Sequence, residues 1–102
     1  MIPNAVTLTN NSATSLGGGL FNAAGDVTLD NTDVTGNSAD ADGGGVYNNF
    51  GVLDVINGAN ISSNTASDSG GGIRNWGGTL TVTDSTVSSN TATSEDGGGI
   101  AI

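Results

Sequence analysis

The stretch Asn64-Thr65-Ala66-Ser67-Asp68-Ser69-Gly70-Gly71-Gly72-Ile73-Arg74-Asn75-Trp76-Gly77-Gly78-Thr79-Leu80-Thr81-Val82 decides the fold, because most of it occurs more than once. Gly-Gly-Gly followed by an aliphatic residue appears at Gly17–Leu20, Gly43–Val46, Gly70–Ile73 and Gly97–Ile100, at spacings of 26, 27 and 27. Ahead of each triplet stands Asn-(Ser/Thr)-Ala, at Asn11, Asn37, Asn64 and Asn90. Two markers in one phase define a tandem repeat, and the chain must be read as stacked copies of one supersecondary unit.

Within the unit, β-type runs alternate with turns rich in Gly, Asn, Ser and Asp. The first run reads Asp26-Val27-Thr28-Leu29, Val52-Leu53-Asp54-Val55 and Thr79-Leu80-Thr81-Val82. Its two-residue period sends Val27, Leu29, Leu53, Val55, Leu80 and Val82 to one face. The second run places Leu8, Val34, Ile61 and Val87 three residues before the recurring Asn. The third supplies Leu20, Val46, Ile73 and Ile100, and Ala13, Ala39, Ala66 and Ala92 fill a corner. Three short strands per coil of 26 or 27 residues, stacked in parallel, make an all-β right-handed parallel β-helix of about four coils. Its handedness follows the usual handedness of parallel crossovers. One solenoid is expected over 1–102, with repeats at approximately 1–25, 26–51, 52–78 and 79–102 and no capping elements. In that register Met1-Ile2-Pro3 falls in the phase of Leu80-Thr81-Val82, and Pro3 removes a ladder donor.

Stacking makes columns. Asn11, Asn37, Asn64 and Asn90 form one, and Asn22, Asn48 and Asn75 another, where amides can bond along the axis and Asn tolerates a left-handed corner. The triplets Gly17, Gly18, Gly19, Gly43, Gly44, Gly45, Gly70, Gly71, Gly72, Gly97, Gly98 and Gly99 are expected in a tight turn where a Cβ would strike the next coil. They lack the lysine and helix of a phosphate-binding loop.

Composition removes several function classes. Only 34% of residues are apolar, there is no Cys and no His, and ten acidic residues face one cation, Arg74, for a net charge of −9. Such a surface repels nucleic acid and anionic membranes. No apolar run approaches the roughly 20 residues that cross a bilayer, so no membrane insertion is expected, and Met1–Asn10 lacks secretory-signal features. Without His, Lys or Cys, acid–base chemistry would fall to carboxylates, and no pair marks a cleft, so no catalytic residue is assigned and no enzyme is expected.

Three surfaces remain. Asp40, Asp42, Asp68, Glu95 and Asp96 lie between the Asn corner and the triplet, so stacking gathers them on one edge. Such an edge serves solubility, and calcium binding is the alternative, although the calcium pattern Gly-Gly-x-Gly-x-Asp is absent. No other cofactor is expected. Phe21, Tyr47 and Arg74 share an outward phase, with a Tyr47–Arg74 cation–aromatic contact expected. With Phe50 and Trp76 they form a lateral contact surface for protein, with carbohydrate as an alternative. The outward pairs Thr7 and Thr9, Asp33 and Thr35, Asn60 and Ser62, and Thr86 and Ser88 form a flat polar face that invites comparison with ice-binding solenoids.

The aligned unit resembles the glycine-rich repeats of bacterial surface β-helices, including the passenger repeats of chlamydial polymorphic outer-membrane proteins, related repeats in large secreted proteins, and pectate-lyase-like β-helices. The chain has Gly-Gly-Gly where the chlamydial repeats favour Gly-Gly-Ala, and it lacks their Phe-x-x-Asn element and any membrane barrel. The resemblance implies an extracellular or cell-surface structural or adhesive protein. From the uncovered strand edges expected at both ends comes the remaining expectation, that the chain either pairs head to tail with copies of itself into fibres, tubes or a surface layer or is a piece of a longer array. A calcium-dependent adhesin fragment and an ice-binding module are the alternatives.

Overall fold

The computed structural model describes residues 6–102; the expected pairing phase of Met1-Ile2-Pro3 lies outside them. In chain order the strands are β1 (Val6–Thr9), β2 (Ser12–Ala13) and β3 (Leu20–Ala23), then β4 (Asp26–Asp30), β5 (Thr32–Thr35), β6 (Ser38–Ala39) and β7 (Val46–Asn49). They continue with β8 (Val52–Ile56), β9 (Asn60–Ser62), β10 (Thr65–Ala66) and β11 (Ile73–Trp76). The last are β12 (Thr79–Val82), β13 (Thr86–Ser88), β14 (Thr91–Ala92) and β15 (Ile100–Ala101).

Every pairing is parallel and joins a strand to its equivalent one coil away, in the orders β1-β5-β9-β13, β2-β6-β10-β14, β3-β7-β11-β15 and β4-β8-β12. The chain is therefore a parallel β-solenoid of about four coils. The sequence period becomes the strand register: Val34 stands opposite Leu8 and Ile61, and Ile73 opposite Val46 and Ile100.

Where three strands per coil were expected, the structure adds a fourth, two residues long, at the Asn-(Ser/Thr)-Ala corner. That corner is extended enough for its backbone to pair: the Ser38 N–H donates to Asn11 O at 2.9 Å and the Thr65 N–H to Asn37 O at 2.9 Å. Four left-handed corners turn each coil. One column is Gly17, Gly43, Gly70 and Gly97, a second Ala24, Phe50 and Gly77, a third holds Asn31, the consecutive pair Asn57 and Gly58, and Asp84, and a fourth Asn10, Gly36, Ser63 and Ser89. The ladder asparagines are not themselves left-handed; the residue just before Asn11, Asn37, Asn64 and Asn90 is. The turn is thus taken one residue early, which leaves the Asn side chain free to lie along the axis.

The core is the interior of the stack. Val34, Val46, Leu53, Val55, Ile61 and Ile73 are fully buried, and Leu29 and Ala59 complete the buried cluster. Leu8, Leu20, Val27, Leu80, Val87 and Ile100 are only partly buried, since the outer coils are covered from one side. Val82, expected inside, is 36% exposed for the same reason.

Candidate functional site

The buried polar columns are the most elaborate part of the molecule. Asn37 Oδ1 accepts from the Asn11 N–H at 2.9 Å and from Asn11 Nδ2 at 3.1 Å, while Asn37 Nδ2 donates to Leu8 O at 2.8 Å. The pattern repeats one coil on: Asn64 Oδ1 accepts from the Asn37 N–H and Nδ2, and Asn64 Nδ2 reaches Val34 O at 2.9 Å. Asn90 Oδ1 closes the series by accepting from the Asn64 N–H and Nδ2, both at 2.9 Å. Each amide is fixed in orientation, so the ladder has a direction: every Asn-to-Asn donation points toward the C-terminal coil. Full satisfaction matters because Asn37 and Asn64 are buried, where an unpaired amide is costly.

The second column works the same way. Asn22 Nδ2 donates to Asn48 Oδ1, and Asn48 Nδ2 to Asn75 Oδ1, both at 2.8 Å. Here the sequence holds a signal that the period alone did not bring out. Asn22, Asn48 and Asn75 are each followed three residues later by glycine, and their Nδ2 donates to the carbonyl of Gly25, Gly51 or Gly78 at 3.0–3.1 Å. A Cβ on Gly51 would stand 2.5 Å from Asn22 Nδ2, and one on Gly78 would stand 2.7 Å from Asn48 Nδ2.

The glycine triplet has a separate reason at each position. The first glycine is left-handed, with φ between 66° and 71° in the four copies. A Cβ on the middle one would run into backbone carbonyls of the next coil, those of Ser38 and Gly44 for Gly18 and those of Thr65 and Gly71 for Gly44. The third lies against the ladder amide of the next coil: a Cβ on Gly45 would be 3.0 Å from Asn64 Nδ2, and one on Gly72 2.7 Å from Asn90 Nδ2. The two sequence markers recur together because they touch.

The aromatic residues gather on the outward side of β3, β7 and β11. Phe21 and Tyr47 stack with ring centroids 5.4 Å apart and planes 6° from parallel. Arg74 does not pair with Tyr47 as expected: its guanidinium lies 5.0 Å from the Trp76 ring centroid. Trp76, two residues on, points to the same side of the strand, while Tyr47 is buried beneath its neighbours. Arg74 Nε is buried without a hydrogen-bond partner. The Phe50 ring covers Gly77, leaving Phe21, Phe50 and Trp76 exposed at 42, 63 and 49%.

The acidic edge holds Asp40, Asp42, Asp68, Glu95 and Asp96, but among the described residues no three acidic side chains converge as a metal would require. Instead Ser69 stands between two of them, its N–H donating to Asp42 Oδ1 at 2.8 Å and its hydroxyl to Glu95 Oε2 at 3.2 Å. The polar face of β1, β5, β9 and β13 places Thr7, Asp33, Asn60 and Thr86 in one column and Thr9, Thr35, Ser62 and Ser88 in the other. The first column mixes three chemistries, hydroxyl, carboxylate and amide. No concave pocket is found among the described residues.

Residues 5–23 match the family model of the Chlamydia polymorphic membrane protein repeat. The match covers β1 to β3, with ladder residues Asn11 and Asn22 and the first triplet, Gly17–Gly19. It agrees with the resemblance drawn from the repeat unit, and the parallel β-solenoid agrees with the fold which that resemblance implies. No curated protein and no solved structure matches the chain.

Proposed function

We propose that this chain is a structural repeat region of a cell-surface or extracellular protein, and that its end coils are extended by strand pairing with further copies of itself. The match to a surface-protein repeat supports the first half. The observation that carries the second is the sameness of the coil-to-coil bonding. All four sheets pair each strand in parallel with its equivalent one coil away, so each coil offers the next a row of backbone groups like the row it meets behind it.

At the last coil, β12, β13, β14 and β15 are sheet edges, and the Asn90 backbone N–H occupies the position from which Asn64 donates to its successor. A coil carrying an Asn in the phase of Asn11 would accept that bond. Unpaired edges of this kind associate unless blocked. The mechanism is backbone pairing guided by the direction of the Asn ladders, with no chemical step and no cofactor. The acidic edge keeps the rods soluble.

Light scattering over a concentration series tests the reading. Growth to ever larger species supports end-to-end addition, while a constant mass of 9.9 kDa at all concentrations contradicts it.

A further inference from the structure

All ten carboxylates avoid one wide face of the solenoid. Asp26, Asp30 and Asp54 lie on β4 and β8, Asp33 lies on β5, and the rest lie in corners and loops. Strands β3, β7, β11 and β15 carry none, and they carry Arg74, the chain's one cation. That face also bears the exposed rings of Phe21 and Trp76, with Phe50 at its margin.

Phe50 is the informative residue. Its φ is 56°, in the left-handed region, where a bulky side chain costs about 1–2 kcal/mol. The equivalent corners of the neighbouring coils use Ala24, which bears the same Cβ cost without a ring, and Gly77, which bears none. The fold therefore does not require a phenylalanine there, and the ring it gains stays 63% exposed. The turn is common to the coils, but a large apolar ring left exposed at a corner that an alanine or glycine can fill points to a use outside the fold.

We propose that the β3-β7-β11 face is a lateral docking surface for a second copy of this chain, paired about a two-fold axis. Charge selects the occupant. Two chains at −9 repel one another, and this is the wide face on which they can meet without opposing carboxylates. Each Arg74 then faces the acidic loops that flank the same face on the other copy, a self-complementary arrangement suited to two-fold pairing. The aromatic rings fill the centre, as at the anchoring positions of other interfaces.

The three four-residue strands of this face, about 4.8 Å apart and about 13 Å long, give a small contact area, so the pair is weak. Side-to-side pairing stops at two copies and leaves the strand edges untouched, so it stands or falls separately from end-to-end growth.

Sedimentation equilibrium of the wild type up to millimolar concentration, alongside Phe50→Gly, Trp76→Ala and the control Thr35→Ala on another face, tests the proposal. The expected result is a two-copy species of wild type and control, weakened at least tenfold in both aromatic variants. Phe50→Gly should melt no lower than wild type, because relief of the corner's strain offsets the loss of the ring's contact with Gly77. If end-to-end growth also occurs, electron micrographs should show paired rods for wild type and single rods for Phe50→Gly. Wild type without a two-copy species or paired rods would overturn the proposal, as would aromatic variants that pair as tightly. A wild-type chain that stays single while Trp76 fluorescence responds to neutral oligosaccharides would overturn it in favour of a sugar platform.

Discussion

Replacing Asn64 by alanine should be among the most damaging single changes of a polar residue. The side chain accepts from the Asn37 N–H and Nδ2 and donates to Val34 O and Asn90 Oδ1, at 2.9–3.0 Å. Two of these partners keep a second bond: Asn37 Nδ2 still reaches Leu8 O, and Asn90 Oδ1 still accepts from the Asn64 N–H. The buried Asn37 N–H loses its acceptor, at about 1–3 kcal/mol, and the remaining lost bonds and the void add roughly 2 kcal/mol. The total is about 3–5 kcal/mol, a large part of the roughly 5–15 kcal/mol that holds a domain folded. Asn11→Ala is the matched control. It loses one side-chain bond at an exposed end coil, the Nδ2 contact with Asn37 Oδ1, and should cost under about 1 kcal/mol. Urea unfolding followed by circular dichroism measures both, with an unchanged m-value required for the comparison. Equal losses in the two variants, or a loss under about 1 kcal/mol for Asn64→Ala, would refute the view that the buried amide column holds the coils in register.

Glycine substitutions should separate clash from strain. Gly71→Ala drives a Cβ into Thr91 O and to 2.5 Å from Gly98 O and should prevent folding or cost at least about 3 kcal/mol, whereas Gly99→Ala, whose nearest neighbour is 3.7 Å away, should cost under about 1 kcal/mol by thermal melting. Calcium should raise the melting temperature no more than magnesium at equal ionic strength, since the acidic loops lack a converging donor set; a calcium-selective rise at micromolar metal would show that the edge closes into a site.

The parts of the fold legible in the sequence are those where one chemistry recurs in one phase. Inward aliphatics, the two Asn columns and the triplets all do so, because each stacks on its own copy and the neighbour constrains it identically in every coil. The fourth ladder was hidden, since a two-residue Ser-Ala or Thr-Ala strand has no period to display. The left-handed corner before the first Asn column was hidden too, because Asn10, Gly36, Ser63 and Ser89 share a conformation and no single residue type.

Phase predicts neighbours along the axis better than contacts across a face. Tyr47 and Arg74 are register partners, yet the guanidinium settles on Trp76 of its own strand. The acidic loops illustrate a further limit. Six positions separate the ladder Asn from the triplet in the first three coils, and seven separate Asn90 from Gly97. The extra residue puts Glu95 and Asp96 out of step, so shared phase did not become shared coordination.

Fibre diffraction or cryo-electron microscopy of the purified chain at neutral pH tests the assembly claim most directly. The account predicts rods in which an axial spacing near 4.8 Å runs unbroken from one copy into the next. Discrete particles four coils tall at every concentration, with no continuous axial spacing, would contradict it.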